Sequence, residues 1–467
     1  MRKLLLMLCL LCCFVSFTVS CQAAAPKNLQ EEYNQSYFIS IAAASCAGIY
    51  RPENAAEFSY LRDYGWEIMP YRESKGKIST NFSLAHNYFS DIGKNIYMVT
   101  FRGSADNSDW RVNLKTRQVP YEDQVIPARA KENLPSDTPA VHEGFISYTD
   151  TMLQASVLDE NGRFKGIFKE AYENPDAYLI LTGHSLGGAA ATLLGERLVS
   201  LGMPKDKFVV ITFGAPAVGN AAFAEKYGDR IDLIRITNTA DPVPGSLQTV
   251  FGGYKQFGYN YKYHLSMKMS NFQHDIAMYF DHSVSEYFKT FDKAAAAGLV
   301  QPLPDTKITE GVPLVALWIT SAPGISKKKY VPDMKRLLID SYKMMLPSYA
   351  VLEQSLSDDS KYSYNDILRI SRAAGAEYII ICGVDGNMPP NKDYWYITLN
   401  QSLFTGDGRL LNMSSFAKKV DPASGNIQAA GESIMLARAE LQQQLPFIVT
   451  EYKMTLNAFG GKDNGTE

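Results

Sequence analysis

Short apolar runs alternate with longer stretches whose apolar positions recur at helical spacing, and this rhythm governs the chain from about residue 60 to residue 290. Runs at 66–71, 95–101, 178–182, 208–213 and 231–237 read as strands, because a strand covered on both faces needs apolar side chains at successive positions. Residues 30–50, 142–157 and 186–201 read as helices, the first with an alanine-rich apolar face. Strands alternating with helices predict a mostly parallel sheet flanked by helices, an α/β fold. In such sheets the working residues gather beyond the carboxyl ends of strands. The polar segments Arg102-Gly103-Ser104, Gly214-Ala215-Pro216 and 238–244 all follow strands in this way.

The pattern breaks at 294–312, where an alanine run gives way to Gly298, Pro302, Pro304 and Gly311. Beyond it a new series begins. It comprises an apolar run at 312–320, a helix at 366–374 and a strand at 378–382. An alternating strand at 394–399, a hairpin turning at 405–409 and a helix at 426–445 complete it. These predict a second, smaller α/β domain. At 467 residues the chain exceeds one ordinary core. The expected organisation is a leader at 1–21, one domain at 22–300, a second at 301–460 and a loose tail at 461–467.

Composition adds an address more than a partner. The hydrophobic fraction of 46% and charged fraction of 20% suit a globular protein, and a net charge of −3 gives no footing for nucleic acid. Arg2 and Lys3 precede an uncharged apolar run at 4–19, which reads as a secretory signal peptide. Thr18-Val19-Ser20-Cys21 resembles a bacterial lipobox, in which Cys21 becomes the lipid-carrying first residue. Ala23-Ala24-Ala25 offers an ordinary cleavage site as the alternative, with Pro26 a poor neighbour. Either exit takes the protein out of the cytoplasm. The first implies a lipid anchor in the bacterial cell envelope, the second a secreted protein. Cys46 and Cys382, the only cysteines beyond the leader, sit in apolar surroundings that suit buried thiols.

The chemistry concentrates at Thr182-Gly183-His184-Ser185-Leu186-Gly187-Gly188. An apolar run, then G-x-S-x-G, then a helix is the order a nucleophile elbow requires. A serine hydroxyl attacks only when it stands clear of the sheet within reach of a base, and the sharp turn that exposes it crowds the backbone on both sides. All six histidines lie before residue 300. A serine, acid, histidine order leaves His264, His274 and His282 as bases. His282, last in the domain and expected to open a helix, is the foremost candidate, with His264 the alternative. Asp241, held by Pro242 and following a strand, is the expected acid; Asp232 lies at a strand start and Asp281 is too near His282. Oxyanion donors are expected from the Leu186 amide and from Ser104, each removal of such a donor costing about 2.7–4 kcal/mol. No spacing of metal ligands is present, and no cofactor is expected; Asp358-Asp359 and Gly406-Asp407-Gly408 read as solvated loops.

Taken in order, 100–104, Asp109-Trp110, Asn113-Leu114, 141–145, 183–188, 212–220, Asn238 with 241–244, and Asp281-His282 resemble the class 3, fungal-type lipases over roughly residues 60–290. The resemblance implies an α/β-hydrolase fold, a Ser185–Asp241–His282 triad, an oxyanion hole at Ser104 and Leu186, and a short lid at about 105–113. It also implies a lipid ester substrate met at a membrane or lipid interface, with triacylglycerol-type hydrolysis foremost. Phospholipase A and non-lipid esterase are the alternatives. The chain departs from the fungal pattern in its polar insert at 115–140, its anchor and its second domain. One motif at 366–383 resembles the amino-terminal domain of TolB and related envelope lipoproteins, which implies an envelope component as partner. A catalytically idle envelope scaffold is the competing reading.

Overall fold

The computed structural model describes residues 25–50, 56–69, 72–74, 80–90, 92–103, 117–123, 134–249, 253–264, 274–352, 362–392, 394–420 and 425–448. Cys21, Ser104, the 105–113 segment and Asp358-Asp359 lie outside them.

The first half folds around an eight-stranded sheet. Its first strands are β1 (Glu67–Ile68), β2 (Arg72–Ser74), β3 (Thr80–Phe89) and β4 (Lys94–Phe101). A separate pair, β5 (Gln118–Pro120) and β6 (Ala140–His142), holds the described ends of the polar insert together. The sheet continues with β7 (Ala177–His184), β8 (Phe208–Phe213), β9 (Leu233–Asn238) and β10 (Tyr259–Tyr263). The order is β1-β3-β4-β7-β8-β9-β10, with β2 also on β3. From β4 to β10 every pairing is parallel, and the β1, β2 and β3 edge is antiparallel. All residues of β7 and β8 are buried, which is why both read as unbroken apolar runs. The strand expected at 66–71 is shorter than its apolar run, Glu67–Ile68.

Helices cover both faces. On one side lie α1 (Leu29–Gly48), α2 (Ala56–Asp63) and, from the far end of this half, the helix Ile276–Ala296. They pack on Ile96, Met98, Ile180, Val209, Ile211 and Ile234. On the other, α3 (Glu143–Met152), α4 (Gly166–Glu173) and α5 (Leu186–Ser200) meet Val99, Leu179, Leu181 and Val210. Strand neighbours such as Leu179 and Ile180 thus feed opposite cores, as the two-residue period of a strand dictates. The short α6 (Ala221–Tyr227) and α7 (Val243–Thr249) follow β8 and β9, and Ile276–Ala296 becomes α8. This is the α/β-hydrolase arrangement.

The second half builds a six-stranded sheet from β11 (Thr306–Lys307), β12 (Val315–Ser321), β13 (Tyr349–Val351), β14 (Tyr378–Asn387), β15 (Trp395–Thr405) and β16 (Leu410–Val420). The order is β11-β13-β12-β14-β15-β16, parallel only among β13, β12 and β14. Among the described residues three helices accompany it: α9 (Val331–Met345), α10 (Tyr364–Ala373) and α11 (Asn426–Gln444). The alternating run at 394–399 continues to Thr405, and Gly406-Asp407-Gly408 is the tip of the β15–β16 hairpin.

The two sheets are separate, yet the apolar core between them is continuous. Residues of α1, α2 and α8 share one cluster with residues of β12, α9 and α11. Arg438 and Asp63, each with its side chain 7% exposed, pair across this contact at 2.7 Å. A buried pair of this kind demands fixed geometry, because either charge left alone would be unsolvated. Cys46 and Cys382 are both buried and unpaired in this core, and burial pushes each thiol up to about 12. Among the described residues no helix is long and apolar enough to cross a membrane, and no cluster of metal ligands occurs.

Candidate active site

Ser185 follows the last residue of β7 and precedes the first residue of α5. Its φ of 57° and ψ of −123° place a non-glycine residue in a sparsely populated region. Such strain persists only where the surroundings impose it. Here the Ser185 amide is bonded to the Phe213 carbonyl of β8 at 3.0 Å. The turn is tight enough that a Cβ on Gly183 would collide with the backbone of Gly187, and one on Gly187 would collide with the Phe101 carbonyl. The two glycines of the motif are therefore set by close backbone approach. Leu186 opens α5, where helix amides lack intrahelical acceptors and point outward. Its N–H stands directly beside the nucleophile.

The imidazole that meets Ser185 belongs to His274, which corrects the expectation of His282. His274 Nε2 lies 2.9 Å from Ser185 Oγ, and its Nδ1 lies 2.8 Å from Asp241 Oδ2. His282 instead packs its ring against Tyr263, with centroids 4.3 Å apart, and approaches Glu286 at 4.0 Å. Burial holds the His282 imidazole below its usual range. The alternative, His264, is exposed just beyond β10. The physical reason lies in where α8 starts. The helix begins at Ile276, capped by the Asp275 side chain on the Ala277 amide, so His274 sits at its mouth on the rim of the sheet. At 1.5 Å per residue, His282 is carried roughly 10 Å away down the helix. The signal available in sequence was the cap itself: an aspartate before an apolar helical run leaves the preceding histidine outside the helix.

Asp241 lies where expected, three residues past β9. Its side chain is fully enclosed, so both carboxylate oxygens require partners. Oδ1 accepts the Val243 amide at 2.8 Å, while Oδ2 accepts His274 Nδ1–H and the Tyr279 hydroxyl, the latter at 2.6 Å. Tyr279 in turn accepts the Asn238 amide at 3.2 Å. Burial first, and then the neighbouring carboxylate, hold the Tyr279 phenol well above its usual range, so it remains a donor. Gly214, at φ of 57°, follows β8 and faces this pair; a Cβ there would sit 2.8 Å from Asp241 Oδ2 and 3.1 Å from the His274 ring. Room for the acid and base therefore depends on the glycine of the Gly214-Ala215-Pro216 segment. Sequence reasoning missed Tyr279 because its partnership depends on the angle at which α8 meets β9.

The site is a strained serine, an imidazole and a buried carboxylate in one hydrogen-bonded line at the carboxyl edge of a parallel sheet. Residues 98–251 match the class 3 lipase family. The chain carries a class 3 lipase domain. Phospholipase A1-II 1 of Oryza sativa subsp. indica is 32% identical over 162 residues, 33% of this chain and 40% of the relative. The chloroplastic galactolipase DONGLE of Arabidopsis thaliana is 28% identical over 172 residues, 33% of this chain and 35% of the relative. The matched part of the lipase domain thus spans well under half the length of these curated relatives. A solved Rhizomucor miehei lipase propeptide complex is 21% identical with a TM-score of 0.39, covering 49% of this chain and 68% of that one.

Proposed function

We propose that this protein is a serine esterase that hydrolyses carboxylic ester bonds of lipids. The observation that carries the reading is the line Ser185 Oγ–His274–Asp241, with 2.9 Å and 2.8 Å links, at a strained elbow. A hydroxyl so placed can pass its proton to His274 Nε2 as its oxygen attacks an ester carbonyl. Asp241 holds the Nδ1–H tautomer and stabilises the imidazolium that forms. The Leu186 amide donates a hydrogen bond to the developing oxyanion, with Ser104 the expected second donor. His274 then protonates the leaving alcohol, and water, deprotonated by the same imidazole, releases the fatty acid from Ser185.

Within this reading the names of the relatives favour polar glycerolipids over triacylglycerols, because those relatives are called phospholipase A1 and galactolipase. Purified protein is expected to take a fluorophosphonate label at Ser185 and to release fatty acid from phosphatidylcholine or galactolipid vesicles faster than from triolein emulsions. Absence of both labelling and hydrolysis across these substrates and short p-nitrophenyl esters would sink the esterase reading. Faster turnover of triolein would reverse the substrate preference alone. Export and anchoring through Cys21 belong to the same proposal. Palmitate labelling in cells should disappear in Cys21→Ser, and labelling that survives would remove the anchor.

A further inference from the structure

His184 sits between Gly183 and the nucleophile, and its ring packs against that of His274 with centroids 4.6 Å apart. Its Nε2 lies 2.7 Å from the His274 backbone carbonyl. A carbonyl only accepts, so Nε2 carries the proton and Nδ1 is the acceptor of the neutral ring. The group that donates to Nδ1 is the Tyr50 hydroxyl, 3.0 Å away at the end of α1. Tyr50 oxygen is in turn pressed against Gly103, whose backbone amide lends it a hydrogen bond. Gly103 lies two residues past β4 and precedes the expected oxyanion residue Ser104 in the chain.

Four groups from four parts of the fold thus form one chain: the Gly103 amide, the Tyr50 hydroxyl, the His184 imidazole and the His274 carbonyl. We propose that Tyr50 and His184 are positioning residues that brace the Gly103 backbone against the His274 backbone, fixing the distance between these two points on either side of the nucleophile. Neither touches the reacting atoms. The Asp241 and Ser185 bonds hold the His274 ring, whereas the bond from His184 holds its backbone carbonyl. The electrostatics agree with the geometry. Burial, and then the nearby His274, keep His184 well below the usual histidine range, so it stays neutral when His274 becomes imidazolium. A charged neighbour at that distance would oppose the proton transfer. The groups facing the two imidazoles are Asp241, Tyr279, Tyr50 and Asp275, and the carboxylate that directly contacts His274 is Asp241.

This inference rests on the esterase reading, and the experiment separates the two. Tyr50→Phe removes one oxygen and keeps the ring. Misplacing reacting groups by about 1 Å costs about 100-fold, so a partly relaxed strut in Tyr50→Phe is expected to lower kcat roughly 10-fold. KM and Tm should stay near wild type, and the fluorophosphonate labelling rate of Ser185 should fall in step. His184→Leu should lose more, and His184→Gln, which keeps a side-chain donor for the His274 carbonyl, should recover part of that loss. Ser185→Ala is run beside them. If Ser185→Ala retains activity, the esterase reading fails. If Ser185→Ala is inactive while Tyr50→Phe keeps full kcat and labelling rate, the strut fails. A His184→Gln no better than His184→Leu at equal Tm also overturns it.

Discussion

His274→Ala is expected to lower kcat on the order of 10⁴–10⁶-fold, while His282→Ala leaves it within about twofold of wild type. The asymmetry follows from reach. Nε2 of His274, just before α8, is at bonding distance from the Ser185 oxygen, whereas His282, within α8, is occupied with Tyr263 and Glu286. Without the base the serine hydroxyl must lose its proton to water, and what remains is binding and oxyanion stabilisation. KM should change little in His274→Ala, because the imidazole acts in the transition state. Initial rates on a soluble p-nitrophenyl ester, with Tm measured on both variants, decide the matter. A His282→Ala enzyme as inactive as His274→Ala at unchanged Tm would contradict the geometry.

Stability of the wild-type protein is expected to fall between about pH 4 and pH 7, and Asp281→Asn is expected to flatten that slope. Asp281 lies in α8, but its carboxyl accepts the amides of Ile427 and Gln428 at 3.1 Å and 3.0 Å, the first turn of α11. Gly425 at the cap position of α11 has no side chain to do this, and a Cβ there would collide with the Asp281 carboxylate. One half of the chain thus caps a helix of the other. Burial pushes the carboxyl up to about 7, against the pull of the three α11 amides that favour its charged form. The folded state therefore keeps this proton across a range in which the unfolded chain, with its carboxyl near 3.9, has lost it. Stability is greatest below the lower value and declines as pH rises to the higher one, by an amount on the order of 4 kcal/mol. Asparagine preserves an accepting oxygen without a charge to desolvate, so Asp281→Asn should exceed wild type at pH 8 and lose that advantage by pH 4. Urea midpoints across this range provide the measurement. Parallel curves for the two proteins would show that Asp281 titrates normally.

Much of this architecture was legible before the fold was seen, for identifiable reasons. The strands β7 and β8 are covered on both faces, and their unbroken apolar runs follow from that burial. The elbow was legible because its crowding leaves glycine at 183 and 187, and Asp241 because a strand end followed by proline admits few roles. What was misread has an equally definite cause. The position of His282 at the end of the domain carried no information about where α8 starts, and so none about which histidine stands before it at the serine. The boundary near residue 300 marks a real change of sheet, but composition could not show that α8, α9 and α11 bury their apolar faces in one cluster.

Sequence by itself therefore determined the alternation of strands and helices, the tight elbow at Ser185 and the position of Asp241 beyond a strand end. These depend on local sterics and on burial period, which are written into neighbouring residues. Only tertiary structure decided which imidazole meets Ser185, the Tyr279 support of Asp241, the Tyr50–His184 chain and the cap that Asp281 supplies to α11. Each is a contact between residues far apart along the chain, and its existence depends on helix start points and packing angles to within about 1 Å.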